Sequence, residues 1–133
     1  MSMHVFTYGS LMFSPVWERV VRGSYEAEPA VLSGHVRHAI LGETYPGMIA
    51  SPGSEVAGML YRGVSDADVA ALDAFEGVEY RRVAVQVAAG GRPVEAQTYL
   101  YLMPDRLSAD PWVPERFEMA RFLGTYCVDK LGS

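Results

Sequence analysis

The 133-residue chain lacks most features that mark secreted, membrane or nucleic-acid-binding proteins. Its one cysteine, Cys127, excludes an intrachain disulfide and a cysteine-only metal site. No apolar run approaches the ~18 residues of a membrane-spanning helix, and no basic region followed by an apolar stretch opens the sequence. The net charge of −5 disfavours nucleic acid and anionic membranes as partners. Together these absences predict a cytoplasmic protein.

The composition that remains is that of an ordinary globular domain. Half of the residues are hydrophobic and a fifth are charged. The length suffices to bury a core without disulfides or a structural metal. No repeat, low-complexity segment or interdomain linker interrupts the chain. We therefore expect one domain over residues 1–133; the sequence carries no indication of its oligomeric state.

Periodicity and turn residues predict elements in the order β-α-β-β-β-α-β-β-α. Most connections between strands are short, which favours antiparallel pairing and an α+β fold with a curled, barrel-like sheet. Ser14 is the expected cap of the first helix, and the final helix is expected to bury Phe117, Ala120, Leu123 or Gly124, Cys127 and Val128. The predicted strands are residues 3–7, 30–41 (bent near Gly34), 55–62, 80–88 and 93–102; the helices are 15–22, 65–76 and 114–129; turns lie at 45–49 and 51–54, a hairpin turn at 89–92 and an irregular connection at 107–113.

The first predicted strand stops abruptly at the sequence Tyr8-Gly9-Ser10-Leu11-Met12. A strand that ends in glycine and a hydroxyl residue leaves several backbone N–H groups at one point. Such a cluster of donors can hold a carboxylate or an oxyanion. The turn therefore predicts an anion-binding site.

Glu76 is an acid at a position where an apolar side chain is expected. Steps of three and four along the predicted helix 65–76 run from Val69 through Leu72 to Glu76. Partial desolvation of a carboxylate raises its pKa towards neutrality, where it can act as a general base or acid. The alternative is a hydrated glutamate at a helix end, paired with Arg81 or Arg82.

The serine, histidine and tyrosine residues that could carry other chemistry have weaker sequence support. Ser10 has no nucleophile-elbow sequence around it and no evident histidine partner among His4, His35 and His38. Residues three apart on an extended segment, such as His35 and His38, face opposite ways and do not make a metal pair. Tyr99 and Tyr101 either line a pocket or pack in the barrel. No metal or organic cofactor is predicted.

Four segments together form a recognisable pattern: Tyr8-Gly9-Ser10-Leu11-Met12, Tyr45-Pro46-Gly47-Met48, Val56-Ala57-Gly58-Met59-Leu60-Tyr61 and Leu72-Asp73-Ala74-Phe75-Glu76-Gly77-Val78-Glu79-Tyr80-Arg81-Arg82. The most specific part is an LDxFEG pattern followed by Y and R at this distance from an amino-terminal YGS. With these segments the chain resembles the γ-glutamylcyclotransferase-like (AIG2-like) family over most of its length.

The resemblance implies a small mixed β-barrel with helices outside it. It implies an enzyme whose small-molecule substrate carries a γ-glutamyl group, with Tyr8, Gly9, Ser10, Leu11 and Met12 as substrate-binding residues. Glu76 corresponds to the general acid/base. The α-amine of the γ-glutamyl group attacks its own γ-carbonyl and releases 5-oxoproline and an amine or amino acid. The rival interpretation is a non-catalytic module that keeps the fold and binds a small ligand.

Overall fold

Six strands form one mixed, mostly antiparallel sheet in the computed structural model of the chain, which describes residues 2–131. The strands are β1 (Ser2–Thr7), β2 (Ala27–Ile40), β3 (Pro46–Ser65), β4 (Tyr80–Ala89), β5 (Arg92–Tyr101) and β6 (Leu107–Pro111). The helices are α1 (Ser14–Val20), α2 (Asp66–Glu76), α3 (Met119–Phe122) and α4 (Val128–Leu131), the last two joined by a π-helical turn, Leu123–Cys127.

The sheet closes into a small barrel. Its strand order is β3-β1-β5-β4-β2-β6, and β2 also pairs with β3, so five strands form a ring and β6 extends it beside β2. Only the β1–β5 pair is parallel among the pairs described. The prediction of an α+β fold with a curled, mostly antiparallel sheet is confirmed. Across residues 2–131, no helix has the length and apolarity needed to cross a membrane.

Strand alternation produces two apolar layers, one inside the barrel and one under the helices. Along β1, Phe6 belongs to the inner layer, while its neighbour Val5 belongs to the outer one. The outer layer includes Val16 and Trp17 of α1, Leu72 and Phe75 of α2, and the carboxy-terminal Phe122 and Cys127. The first strand is therefore buried on both faces, which is why it reads as a continuous hydrophobic run.

Helix α2 begins and ends where its sequence predicts. The Ser65 hydroxyl accepts the Asp68 N–H as an amino-terminal cap. Gly77 follows the last helical residue with φ of +76°, a conformation that favours glycine and ends the helix. These two signals place Glu76 in the final turn, next to the strand that follows.

The expected capping of α1 by Ser14 is wrong, and a side-chain acceptor, Asp68, is found instead beyond the other end of the helix. The cap position is occupied by Phe13 and Ser14 makes no side-chain cap bond. Past the end of the helix at Val20, the N–H groups of Arg22 and Gly23 donate to the Asp68 carboxylate at 3.0 and 2.9 Å. Asp68 is 5% exposed and so ties the α1 loop to the start of α2.

The turns predicted at 45–49 and 51–54 do not separate strands, so this prediction is wrong. Strand β3 runs through both from Pro46 to Ser65, because twelve of its residues pair with β2. Residues 51–54 are instead an insertion within the ladder: Ser33 pairs with Glu55, whereas His35 pairs with Ala50. Gly53 adopts a φ of +86° there, so its turn signal is real but marks a bulge.

The carboxy-terminal third also departs from expectation. The predicted irregular connection at 107–113 contains β6, which pairs with β2. The predicted helix 114–129 begins only at Met119 and contains a π-helical turn. That turn shifts the helical phase, so Phe122 and Cys127 are buried while Ala120 and Val128 are exposed.

Candidate functional site

One cavity brings together the two features that the sequence singled out. It encloses about 410 Å³, part of which is open to solvent. Among the described residues that line the cavity, Glu76 is the only one with an acidic or basic side chain, and most of the others are aromatic. The lining residues are Phe6, Thr7, Tyr8, Gly9, Ser10, Leu11, Tyr45, Pro46, Phe75, Glu76, Tyr80, Tyr99, Phe122 and Tyr126.

The turn after β1 lines this cavity and contains backbone N–H groups without an acceptor among the described residues. A single 3₁₀ turn follows the strand, in which Met12 N–H donates to Gly9 O and Phe13 N–H donates to Ser10 O. No acceptor among the described residues takes the N–H groups of Gly9, Ser10 or Leu11, although all three residues are buried. Buried N–H groups normally have partners. Donors of this kind suit an anionic ligand.

Four of the five residues predicted from the turn line the cavity, and the fifth does not. Tyr8, Gly9, Ser10 and Leu11 are lining residues. The Met12 side chain instead contacts the guanidinium of Arg37, with 3.8 Å between Sδ and N. Met12 therefore belongs to the support of the turn.

Arg37 of β2 is the main support of the turn, and the sequence did not reveal it. One guanidinium nitrogen donates to Tyr8 O at 2.6 Å and to Ala57 O at 3.1 Å. The guanidinium also lies over the Trp112 ring, 5.3 Å from its centroid. Burial lowers the Arg37 pKa. The only available signal was strand alternation, which places Arg37 on the opposite face from Val36 and His38.

Replacement of Arg37 by methionine is expected to lower the free energy of unfolding by about 2 kcal/mol, because charge-assisted hydrogen bonds to two carbonyl groups are lost. The measurement is urea unfolding at pH 7. Arg81→Met is the matched control, since Arg81 is exposed on β4 and no partner is found for it among the described residues. Equal stability of the two variants would contradict the supporting role.

Glu76 lies in the last turn of α2, half-buried at the cavity wall. Its carboxylate receives no hydrogen bond from the described residues. Burial raises its pKa to about 8; the Lys130 ammonium acts in the opposite direction and the Asp73 carboxylate adds to the rise. The carboxyl group is therefore poised to exchange a proton near neutral pH. The Arg81 or Arg82 pairing considered from the sequence is absent among the described contacts, since Arg82 pairs with Asp73 at 3.0 Å.

Four tyrosines surround Glu76 without donating to its carboxylate. The Tyr8 hydroxyl donates to Tyr99 O at 2.7 Å and the Tyr80 hydroxyl to Pro46 O at 2.8 Å. The Tyr126 hydroxyl donates to Phe75 O at 2.7 Å, and the Tyr99 hydroxyl to Asp73 Oδ1 at 2.7 Å. Burial is the first cause of their raised pKa values, and the charge of Glu76 contributes to each. The tyrosines thus form a wall, held by hydrogen bonds of their own, around an acid that has no hydrogen-bond donor among the described residues.

The sequence did not decide whether Tyr99 and Tyr101 line a pocket, and the structure places them differently. Tyr99 lines the cavity, whereas Tyr101 does not. The Tyr101 ring packs against Tyr80 at 5.3 Å between centroids. Both side chains are 4% exposed. Strand alternation alone did not separate them, because residues two apart on a strand lie on the same face of the sheet.

A serine nucleophile is not assembled. Ser10 is buried in the turn, and each histidine has another neighbour: His4 Nδ1 accepts the Gly63 N–H, His35 lies 3.0 Å from Ser33 O and His38 lies 3.4 Å from Asp110 O. No group of three or more potential metal ligands is found in the described part of the chain. The chemistry that the cavity offers is that of one carboxylate and a set of backbone donors.

In this mixed α+β fold, one cavity is lined both by the acid Glu76 and by the turn that follows β1. The chain belongs to the family described as gamma-glutamyl cyclotransferase, AIG2-like, whose model matches residues 5–116. It is 34% identical to protein AIG2 C of Arabidopsis thaliana over 106 residues, which cover 78% of this chain and 64% of that protein. The chain thus spans slightly less than two thirds of the length of that relative.

The solved structures agree with this assignment. A solution structure from Arabidopsis thaliana superposes with a TM-score of 0.74 at 30% identity, covering 96% of this chain and 81% of that one. A structure described as gamma-glutamyl cyclotransferase superposes with a TM-score of 0.65 at 23% identity, covering 77% and 68% of the two chains. At that identity the likeness shows the fold alone.

Proposed function

We propose that the protein is a cyclotransferase that converts a γ-glutamyl amide into 5-oxoproline and a free amine or amino acid. The observation that carries the proposal is the pairing, in one cavity, of an unpaired carboxyl group of raised pKa with unused N–H donors. Family membership supports the reaction class. A module that only binds a small ligand has no need of a half-buried carboxyl group that lacks a hydrogen-bond donor among the described residues.

The turn positions the substrate in this proposal. The N–H groups of Gly9, Ser10 and Leu11 bind the α-carboxylate of the γ-glutamyl group or the oxyanion that forms at its γ-carbonyl. Holding the carboxylate brings the α-amine and the γ-carbonyl of one molecule together, which removes most of the entropic barrier to ring closure. The aromatic wall excludes water, which would compete for the same donors.

Glu76 moves the protons. Its carboxylate takes one proton from the α-ammonium group, and the free amine attacks the γ-carbonyl carbon. The tetrahedral intermediate then loses a second proton from the attacking nitrogen, while the leaving nitrogen is protonated and the original amide C–N bond breaks. Two protons pass in total from the attacking to the leaving nitrogen, and one carboxyl group of pKa about 8 can relay both.

The test is a mass-spectrometric assay for 5-oxoproline over a panel of γ-glutamyl amides, with a no-enzyme control for spontaneous cyclisation. We expect enzyme-dependent 5-oxoproline and an equal amount of released amine. The matched control substrate carries an acetyl group on its α-amine, which removes the nucleophile and should give no product. Absence of product from the whole panel would reject the proposal and favour the binding module.

A further inference from the structure

A second pocket, lined by charged residues, adjoins the cavity. The two share Tyr45 and Tyr126, whose ring centroids lie 4.7 Å apart and form the partition between them. The outer pocket encloses about 730 Å³, including open solvent. Its other lining residues are Gly42, Glu43, Thr44, Glu79, Arg121, Thr125 and Lys130. The inner cavity is aromatic, so the two pockets suit different parts of one ligand.

Two of the four charged groups in this outer pocket already have ion-pair partners. Arg121 pairs with Glu118 at 3.1 Å, and Glu79 pairs with Arg106 at 3.1 Å. No carboxylate that the structure describes lies within 4.0 Å of the Lys130 ammonium. Lys130 is also the only lysine in the chain. It is thus a cation available to a ligand.

Lys130 is held beside the end of α2. Its Nζ lies 5.4 Å from the centroid of the Tyr126 ring, and the Tyr126 hydroxyl is bonded to the last carbonyl groups of the helix. A Cβ added to Gly77 would lie 2.7 Å from Nζ, so the ammonium rests directly on the residue after Glu76. The charge of Lys130 reaches Glu76, whereas that of Glu43 acts on Tyr45 and Tyr101.

We propose that the outer pocket holds the leaving part of the substrate and that the Lys130 ammonium binds a carboxylate on it. The inference rests on the proposed cyclotransferase reaction and adds the residue that would select among its substrates, in favour of those whose released amine carries a carboxylate near its nitrogen. Glu76 must protonate that nitrogen, so the leaving part lies next to Glu76, where Lys130 is the unpaired cation. A carboxylate there completes a pair that the protein leaves open.

The test compares two substrates that differ in one group. In γ-glutamyl-alanine the leaving amine carries a carboxylate; γ-glutamyl-ethylamine has the same skeleton without it. We expect the wild type to prefer the alanine compound by about tenfold or more in kcat/KM, a difference typical of one charged contact. Lys130→Met should remove that preference, mainly by raising KM for the alanine compound. Lys130→Arg should retain most of it, and Arg121→Met, which loses a paired charge, should change it by less than about twofold.

The other outcomes separate the alternatives. An equal loss on both substrates in Lys130→Met, with the pH midpoint of kcat/KM shifted upwards, would show that Lys130 acts only through Glu76 and would overturn the inference. Wild-type preference for the ethylamine compound, or for a γ-glutamyl diamine, would overturn it in favour of Glu43 as the recognition group. In both cases 5-oxoproline still forms and the proposed function stands. Absence of 5-oxoproline from every substrate would reject both.

Discussion

Glu76→Gln is expected to lower kcat/KM for 5-oxoproline release by about 10²–10⁴-fold, because glutamine keeps the shape of the side chain but cannot relay a proton. The same substitution is expected to stabilise the protein at alkaline pH. A half-buried acid without a hydrogen-bond donor is costly to ionise, and the neutral amide avoids that cost. Loss of activity together with a gain in stability distinguishes a functional acid from a structural one.

The sign of the pH dependence follows from the direction of the pKa shift. Glu76 has a pKa of about 8 in the folded protein against an ordinary value of 4.5. Between these values the folded state keeps the proton and the unfolded state has lost it, so its contribution to stability falls as pH rises from about 4.5 to about 8. Because Glu76 is half-buried and solvent screens part of its charge, we expect the free energy of unfolding of Glu76→Gln to exceed that of the wild type by about 2 kcal/mol at pH 9. At pH 4 we expect little difference between the two.

Urea unfolding of both proteins at pH 4, 7 and 9, together with the 5-oxoproline assay, measures these effects. Glu95→Gln is the matched control, because Glu95 is an exposed acid on β5. This control should change the free energy of unfolding by no more than about 0.5 kcal/mol and should leave 5-oxoproline release unchanged. Full activity of Glu76→Gln would reject the proposed mechanism. A difference in stability that does not change with pH would reject the raised pKa.

The second large effect is expected at Gly58 of β3. A Cβ added there would overlap the carbonyl oxygen of Thr7 and lie 2.8 Å from the Phe6 ring. Both neighbours belong to β1, and Thr7 leads directly into the turn that lines the cavity. Since the closest obstacle is backbone, no side-chain rotation relieves it. We expect Gly58→Ala to cost about 3 kcal/mol or more, a large part of the stability of a domain of this size.

The measurement is soluble yield, circular dichroism and the urea midpoint of the purified variant. Gly124→Ala is the control, because nothing lies within 4 Å of its added Cβ and its backbone is helical. It should be neutral or stabilise the protein by up to about 1 kcal/mol. A Gly58→Ala protein as stable as this control would show that β1 and β3 are less closely packed than the structure has them.

Helix α2 and the β4–β5 hairpin were predictable because their signals are local. Ser65 and Gly77 act within one helix, and Gly90 and Gly91 supply the positive φ values of a two-residue hairpin turn. Glu76 was found as a break in a helical period, which also needs no tertiary information. The turn after β1 was found in the same way, as a strand ending at Gly9 and Ser10.

The elements that were predicted wrongly depend on their partner strands. Strand β3 continues through Pro46–Gly47 and past residues 51–54 because it pairs with β2 on both sides of that insertion. Strand β6 exists only as a neighbour of β2. A local turn signal cannot reveal a strand that is held by pairing with another segment of the chain, and β-propensity depends on such context.

The sequence alone determined that one acid lies on an inward helical face and that a strand end carries free donors, because both are properties of short segments with a known period. Tertiary structure decided that the two share a cavity. It also decided that Arg37 holds the turn, that Tyr99 rather than Tyr101 lines the wall, and that Lys130 lies beside Gly77. These contacts come from barrel closure and from the docking of the last helix, which join residues that no local pattern relates.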